Sequence, residues 1–252
     1  MNAKRCEAMG VVFLLAGVAA VAQPTSLVGT LAEARAAYQQ RADPTRAKAA
    51  VELFQKAAAE DPASYEARWE GARATYFYGN YTCTDASDRE KMAIFDGGIA
   101  LAKEAVALSP KGVEGHFWLG VLYGVFGESK GIFKSLSLVP VIKQEMQACL
   151  EIDPGVEGWG PDRVLGRLYY KLPWFKGGDK KKSIEYLEKS LAGAPTNALT
   201  RLYLAESYRS NGMKPEAMAQ LREVVTMIPD PRWAPEHPWI QAHAEKLLKK
   251  LE

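Results

Sequence analysis

Histidine and cysteine are scarce in this chain, with three of each among 252 residues. That scarcity excludes much. His237 and His243 are six apart, which does not bring them to one helix face as an i,i+4 ligand pair would be, and His116, at the start of a helix, reads as a packing residue. No serine or cysteine stands in a nucleophile motif. No strand pattern exists to carry a glycine-rich phosphate loop. Carboxylates such as Glu33 and Glu52 are scattered and read as solvated. The residues therefore predict a binding protein that is not an enzyme, with no metal and no cofactor.

Charge of one sign is missing too. Lys and Arg number 32 against 30 Asp and Glu, a net +2, too little to argue for nucleic acid or an anionic membrane surface as the partner. The longest like-charge block, Lys180-Lys181-Lys182, reads as a solvated helix end. A long apolar run is also absent, since a membrane span needs about 20 residues. The apolar run Met9–Val21 is shorter, follows Lys4 and Arg5, and ends in the small residues Ala20-Val21-Ala22. That order predicts a signal peptide over 1–22 and an exported, periplasmic chain from Gln23. Whether the segment is cleaved or kept as an anchor stays open. Cys6 precedes the apolar run, so it is not placed to carry a lipid. Cys83 and Cys149 remain. In an oxidising compartment they can form a disulfide; alternatively Cys149, on an apolar helix face, is a small core hydrophobe.

What the chain does have is an internal repeat. Leu204, Ala205 and Tyr208 fall on one helix, Asn211-Gly212 turns, and Ala217, Leu221 and Val224 fall on a second helix that Pro229 ends. Small residues let the two helices approach, large ones fill the gap, and proline cannot continue a helix. The second-helix spacing recurs at Ala50, Phe54, Ala57 and Pro62, at Gly98, Ala102, Ala105 and Pro110, at Ile142, Met146, Cys149 and Pro154, and at Ser183, Leu187, Ser190 and Pro195. Leu119-Gly120 with Tyr123, and Leu165-Gly166 with Tyr169, are the matching first helices. This is the tetratricopeptide (TPR) arrangement. It predicts an all-α helical-repeat solenoid over 23–252, with units near 27–62, 63–110, 111–154, 155–195 and 196–229 and a C-terminal capping helix over 235–252. The closing prolines are 48, 44, 41 and 34 residues apart, so the earlier units carry insertions, at Asn80–Arg89, Gly127–Leu138 and Pro173–Asp179.

In TPR arrays the first helix of each pair lines the concave groove. Its outward positions in the fourth unit are Arg163, Arg167 and Tyr170. The two arginines are i,i+4 neighbours, a like-charge pair that an anion would relieve; the alternative is that each pairs with an acid such as Asp162 or Glu206. Phe117, Trp174 and Phe175 add aromatic surface, the last two from an insertion, as a ligand wall or as a structural lid. The expected groove residues are therefore Arg163, Arg167, Tyr170, Trp174, Phe175, Phe117 and Glu206.

His116-Phe117-Trp118-Leu119-Gly120, Gly131-Ile132 with Pro140-Val141-Ile142, the run Gly160–Tyr169, Pro173-Trp174-Phe175 before Gly177-Gly178-Asp179, Tyr203-Leu204-Ala205-Glu206 and Pro229-Asp230-Pro231 together resemble the T-component family of tripartite ATP-independent periplasmic (TRAP) transporters. The resemblance covers nearly the whole chain after residue 22. It implies an extracytoplasmic helical-repeat protein with an apolar cleft, handling a small apolar or carboxylate solute beside a periplasmic solute-binding protein. The alternative is an envelope scaffold that holds a peptide or helix of another protein. The oligomeric state stays open.

Overall fold

Pairs of antiparallel helices follow one another along the chain, in a computed structural model that describes residues 25–252. They are α1 (Thr25–Gln39) with α2 (Pro44–Glu60), α3 (Tyr65–Phe77) with α4 (Asp88–Leu108), α5 (Val113–Lys130) with α6 (Val139–Ile152), α7 (Val156–Lys171) with α8 (Lys180–Gly193), and α9 (Ala198–Ser210) with α10 (Lys214–Thr226). A last helix, α11 (His237–Lys249), packs on α9 and α10. The signal segment expected over 1–22 lies outside the described residues. Among the described residues no helix is long and apolar enough to cross a membrane.

Local chemistry starts these helices where it should. Asp43, Ser64, Asp179 and Asn197 each accept a backbone N–H from the first turn of the helix they precede. Ser87 and Glu90 cap α4 reciprocally. Each such cap stabilises its helix by about 1 kcal/mol.

The repeat spacing explains the packing. Ala50, Phe54, Ala57, Ala102, Ala105, Met146, Cys149, Leu187, Ala217, Leu221 and Val224 are all fully buried between helices. Glycine sets the closest approaches. A Cβ on Gly120 would stand 2.4 Å from Met146 Cε, and one on Gly166 would stand 2.6 Å from Leu187 Cγ, so these positions fix how near α5 lies to α6 and α7 to α8. The first helices also touch one another, α3 with α5, α5 with α7 and α7 with α9, and form the concave layer.

Two features depart from a plain array. Glu157, Gly158 and Trp159 are left-handed (φ 48°, 64° and 55°), a reversed turn ahead of Pro161 in α7. Left-handed geometry costs a non-glycine residue roughly 1–2 kcal/mol, and buried contacts hold it: Trp159 packs against Gly193, where a Cβ would come within 2.2 Å of its ring, and its carbonyl accepts the Ser190 hydroxyl. The second departure is closure. Arg41, after α1, donates to Glu236 through Nε at 2.6 Å and Nη2 at 3.1 Å, and to the Arg232 carbonyl at 2.6 Å. Tyr81 meets Trp239 of α11 edge-on at 5.2 Å. The C-terminal segment thus reaches back to the first two units.

The insertions are more ordered than polar loops. The first begins with a π-helical turn, Tyr78–Thr82; the second carries a 3-10 helix, Ile132–Leu138, and the third a shorter one, Trp174–Lys176.

Candidate functional site

The concave layer and the returning C-terminal segment enclose a cavity of about 1310 Å³, counting its open mouth. Its walls come from successive first helices: Tyr76 and Phe77 on α3, Trp118 and Val121 on α5, Val164 and Leu168 on α7, Leu199 and Tyr203 on α9. Trp233, His237 and Ile240 close the far side. The aromatic wall is continuous. Tyr76 lies 5.5 Å from Trp118 and 5.1 Å from Phe77, and Phe77 stacks on Tyr81 at 5.7 Å. Burial raises the phenols of Tyr76, Tyr81 and Tyr203 above their ordinary value, so they remain neutral.

Two arginines face this space with different neighbours. Arg163 is 8% exposed. Its Nη1 donates to the Gly158 carbonyl and its Nη2 to the Glu157 carbonyl, both at 3.1 Å, so it clamps the left-handed turn. Among the described residues it has no carboxylate within salt-bridge distance; Glu157 is the acid that bears on it, beside the neutral phenols of Tyr76, Tyr203 and Tyr81, and burial pulls it below the usual arginine range. Arg167 is neutralised. It pairs with Glu206, lies 3.8 Å from Glu128, and stacks over Tyr203 at 4.1 Å and Tyr170 at 5.3 Å. Glu128 also holds Lys171 at 3.0 Å. Two buried ring nitrogens at the wall, Trp118 Nε1 and His237 Nδ1, have no hydrogen-bond partner among the described residues, a state that costs free energy unless a ligand or water meets it.

Of the expected groove residues, Phe117, Arg163 and Arg167 line the cavity. Glu206 takes part as the partner of Arg167, and Tyr170 as the surface beneath it. Trp174 and Phe175 do not. They are 85% and 56% exposed, standing on the 3-10 turn outside the mouth, so neither the ligand-wall nor the lid reading holds for them. The disulfide is also absent: Cys83 and Cys149 are free. Cys149 is sealed in α6 with Sγ toward the Val113 carbonyl at 3.7 Å, and burial pushes its thiol up to about 12. Cys83 follows the π-helical turn of another unit, beside Tyr78. His116 bridges units, with Nδ1 2.6 Å from Glu145 and Nε2 3.0 Å from the Pro110 carbonyl. Among the described residues no group of three or more His, Cys, Asp or Glu could hold a metal ion.

Sequence reasoning missed Tyr76, Tyr81 and Tyr203 at the wall, the reversed turn and the Arg41–Glu236 closure. Only the turn left a local signal, the glycines at 155, 158 and 160.

Among solved structures the chain is similar to TTC0263, a thermophilic TPR protein of Thermus thermophilus, at 20% identity and a TM-score of 0.64, over 87% of this chain and 99% of that one. MamA is matched at 14% identity and a TM-score of 0.47, over 84% of this chain and 92% of that one. The first likeness bears out the all-α, TPR-like solenoid. No curated protein sequence matches. Neither structure's name nor the family description is that of a TRAP component. The family model described as Regulator of microtubule dynamics protein 1-3 (RMD1-3) matches residues 30–172, more than half of the chain, and the chain belongs to that family.

Proposed function

We propose that the chain is a non-catalytic binding protein whose ring-closed cavity takes an elongated apolar ligand with a polar or anionic head. The observation that carries this reading is an apolar, aromatic-walled cavity with one buried guanidinium, Arg163, that has no carboxylate partner among the described residues. Apolar ligand surface buried there would contribute about 25 cal/mol per Å² against the cost of association. The test is displacement of a bound apolar dye by a long-chain carboxylate and by the matching alcohol. The carboxylate is expected to bind about tenfold more tightly, through charge-assisted hydrogen bonds to Arg163. No dye uptake at all would overturn the reading.

The finer form of this reading is a TRAP T-component that acts beside a solute-binding protein outside the cytoplasm. It rests on the resemblance above and on the positive, apolar, small order of residues 4–22. A native N-terminus near Gln23 and co-purification of a solute-binding protein would support it; a chain that keeps its first residues and stays in the cytoplasm would overturn it.

The second reading is a scaffold that holds a peptide or helix of another protein. Helix-pair arrays present extended concave surfaces, and the charged ladder Glu206–Arg167–Glu128–Lys171 offers polar contacts at one side of this one. Tubulin, suggested by the family's description, is the first polypeptide to try. Saturable binding of a polypeptide that competes with the dye would favour this reading over the first.

A further inference from the structure

Three aromatic side chains are exposed among the described residues, Phe133 at 68%, Trp174 at 85% and Phe175 at 56%, and all three belong to one patch. They come from two different insertions. Phe133 sits on the 3-10 helix after α5, Trp174 and Phe175 on the 3-10 turn after α7. Phe133 stacks on Phe175 at 6.5 Å, and Trp174 meets Phe175 edge-on at 5.7 Å. The patch is therefore a built surface.

The two segments that carry it are predominantly basic. Residues 129–144 contain Lys130, Lys134 and Lys143 and no acid. Residues 173–184 contain Lys176, Lys180, Lys181 and Lys182 against Asp179 alone, and the Asp179 carboxylate is occupied in capping α8. Lys130, Lys134, Lys176, Lys180 and Lys181 are exposed, and among the described residues none is within salt-bridge distance of a carboxylate. The patch also borders the mouth of the cavity. Ile132, Ser135 and Leu138, on the same 3-10 helix as Phe133, line the cavity, as do Lys171 and Leu172 just ahead of Trp174.

We infer that this patch docks the protein onto an anionic membrane surface, with Phe133, Trp174 and Phe175 entering the headgroup region and the lysines lying on the acidic lipid heads. Aromatic rings favour the water–bilayer boundary, and lysines beside them are attracted by negative surface potential. A folded protein partner would call for complementary acids or a groove; rings that stand out from the surface amid unpaired lysines suit a yielding, apolar layer under a negative skin. Docking there would turn the cavity mouth toward the lipid. The inference does not depend on what the cavity holds.

The test is partition of the full-length chain onto vesicles of phosphatidylcholine with about 30% phosphatidylserine, an acidic-lipid content that gives a negative surface potential. The wild-type chain is compared with Trp174→Ala/Phe175→Ala and with Lys134→Glu/Lys176→Glu. These side chains are exposed, so melting curves should match wild type. Each double variant is expected to lose at least about tenfold in partition, and wild-type binding should weaken with salt. The first 24 residues contain no tryptophan, so lipid-attached quenchers report on the folded part. Quenching should fall in Trp174→Phe. Undiminished partition of both double variants, or Trp174 fluorescence untouched by the quenchers, would overturn the inference. So would loss of a dimer rather than of vesicle binding in Trp174→Ala/Phe175→Ala, which would assign the patch to a second copy of the chain.

Discussion

Cutting the contact between Arg41 and Glu236 should open the ring, and the geometry says by how much. The two side chains are 5% and 4% exposed, so neither charge has water to fall back on. Removing one partner of such a pair costs about 3–5 kcal/mol. Glu236→Ala should sit near the lower figure. Arg41 keeps the Arg232 and Tyr38 carbonyls and the ring faces of Tyr38 at 4.3 Å and Phe77 at 4.9 Å. Arg41→Ala should sit near the upper figure, because Glu236 is left without its cation and the Arg232 carbonyl without its donor. Burial already holds the Glu236 carboxyl above its ordinary value, so that loss should ease in mild acid as the group takes up a proton. The double variant should cost clearly less than the two losses added, with a coupling of about 1.5–3 kcal/mol. Urea unfolding followed by circular dichroism gives the four free energies, and hydrogen exchange over 230–249 shows whether the C-terminal segment opens first. Losses that add to within about 0.5 kcal/mol, or single variants within about 1 kcal/mol of wild type, would refute a closing role for this pair.

Gly166→Val forces a side chain against Leu187 Cγ and the Ser183 carbonyl, 2.6 and 3.1 Å from where its Cβ would lie. It should destabilise by about 1–3 kcal/mol, a drop in Tm of roughly 2–12 °C at this size; an unchanged Tm would show that α7 and α8 can part without cost. His237 is held by burial below its ordinary pKa. The unfolded chain therefore takes up a proton there more readily than the folded one. The contribution is full above about pH 6.5 and is lost as pH falls through that value toward the lowered one. Urea midpoints measured at about pH 7.5 and about pH 5.5, on either side of that value, should differ less in His237→Gln than in wild type, and equal differences would contradict this.

The fold was legible because its signal is periodic. A triplet of small or apolar residues at i, i+4 and i+7 closed by proline, written five times from Pro62 to Pro229, needs only local packing to be read. The groove was partly legible for the same reason: Arg163 and Arg167 are i,i+4 on a first helix, and both line the cavity. Their roles were not legible, because those depend on partners far along the chain, Glu206 for Arg167, and on a reversed turn for Arg163. The closure from Arg41 to Glu236 spans 195 residues and has no local signature. Trp174 and Phe175 show the limit most clearly. Their density marked them as interesting, but an aromatic pair in an insertion does not say whether it covers the protein or something outside it, and here it faces out.

The central claim is that the cavity is the binding site. Gly124 lines it, and a Cβ added there meets nothing within 4 Å, so Gly124→Phe should project a ring into the cavity and obstruct it while leaving α5 as stable or slightly more so. The decisive measurement is native mass spectrometry of wild type and Gly124→Phe purified in parallel from the native host. The account predicts an added small-molecule mass on wild type, released on unfolding, and none on Gly124→Phe at equal or higher Tm. The same added mass on both proteins would place the ligand elsewhere and contradict it.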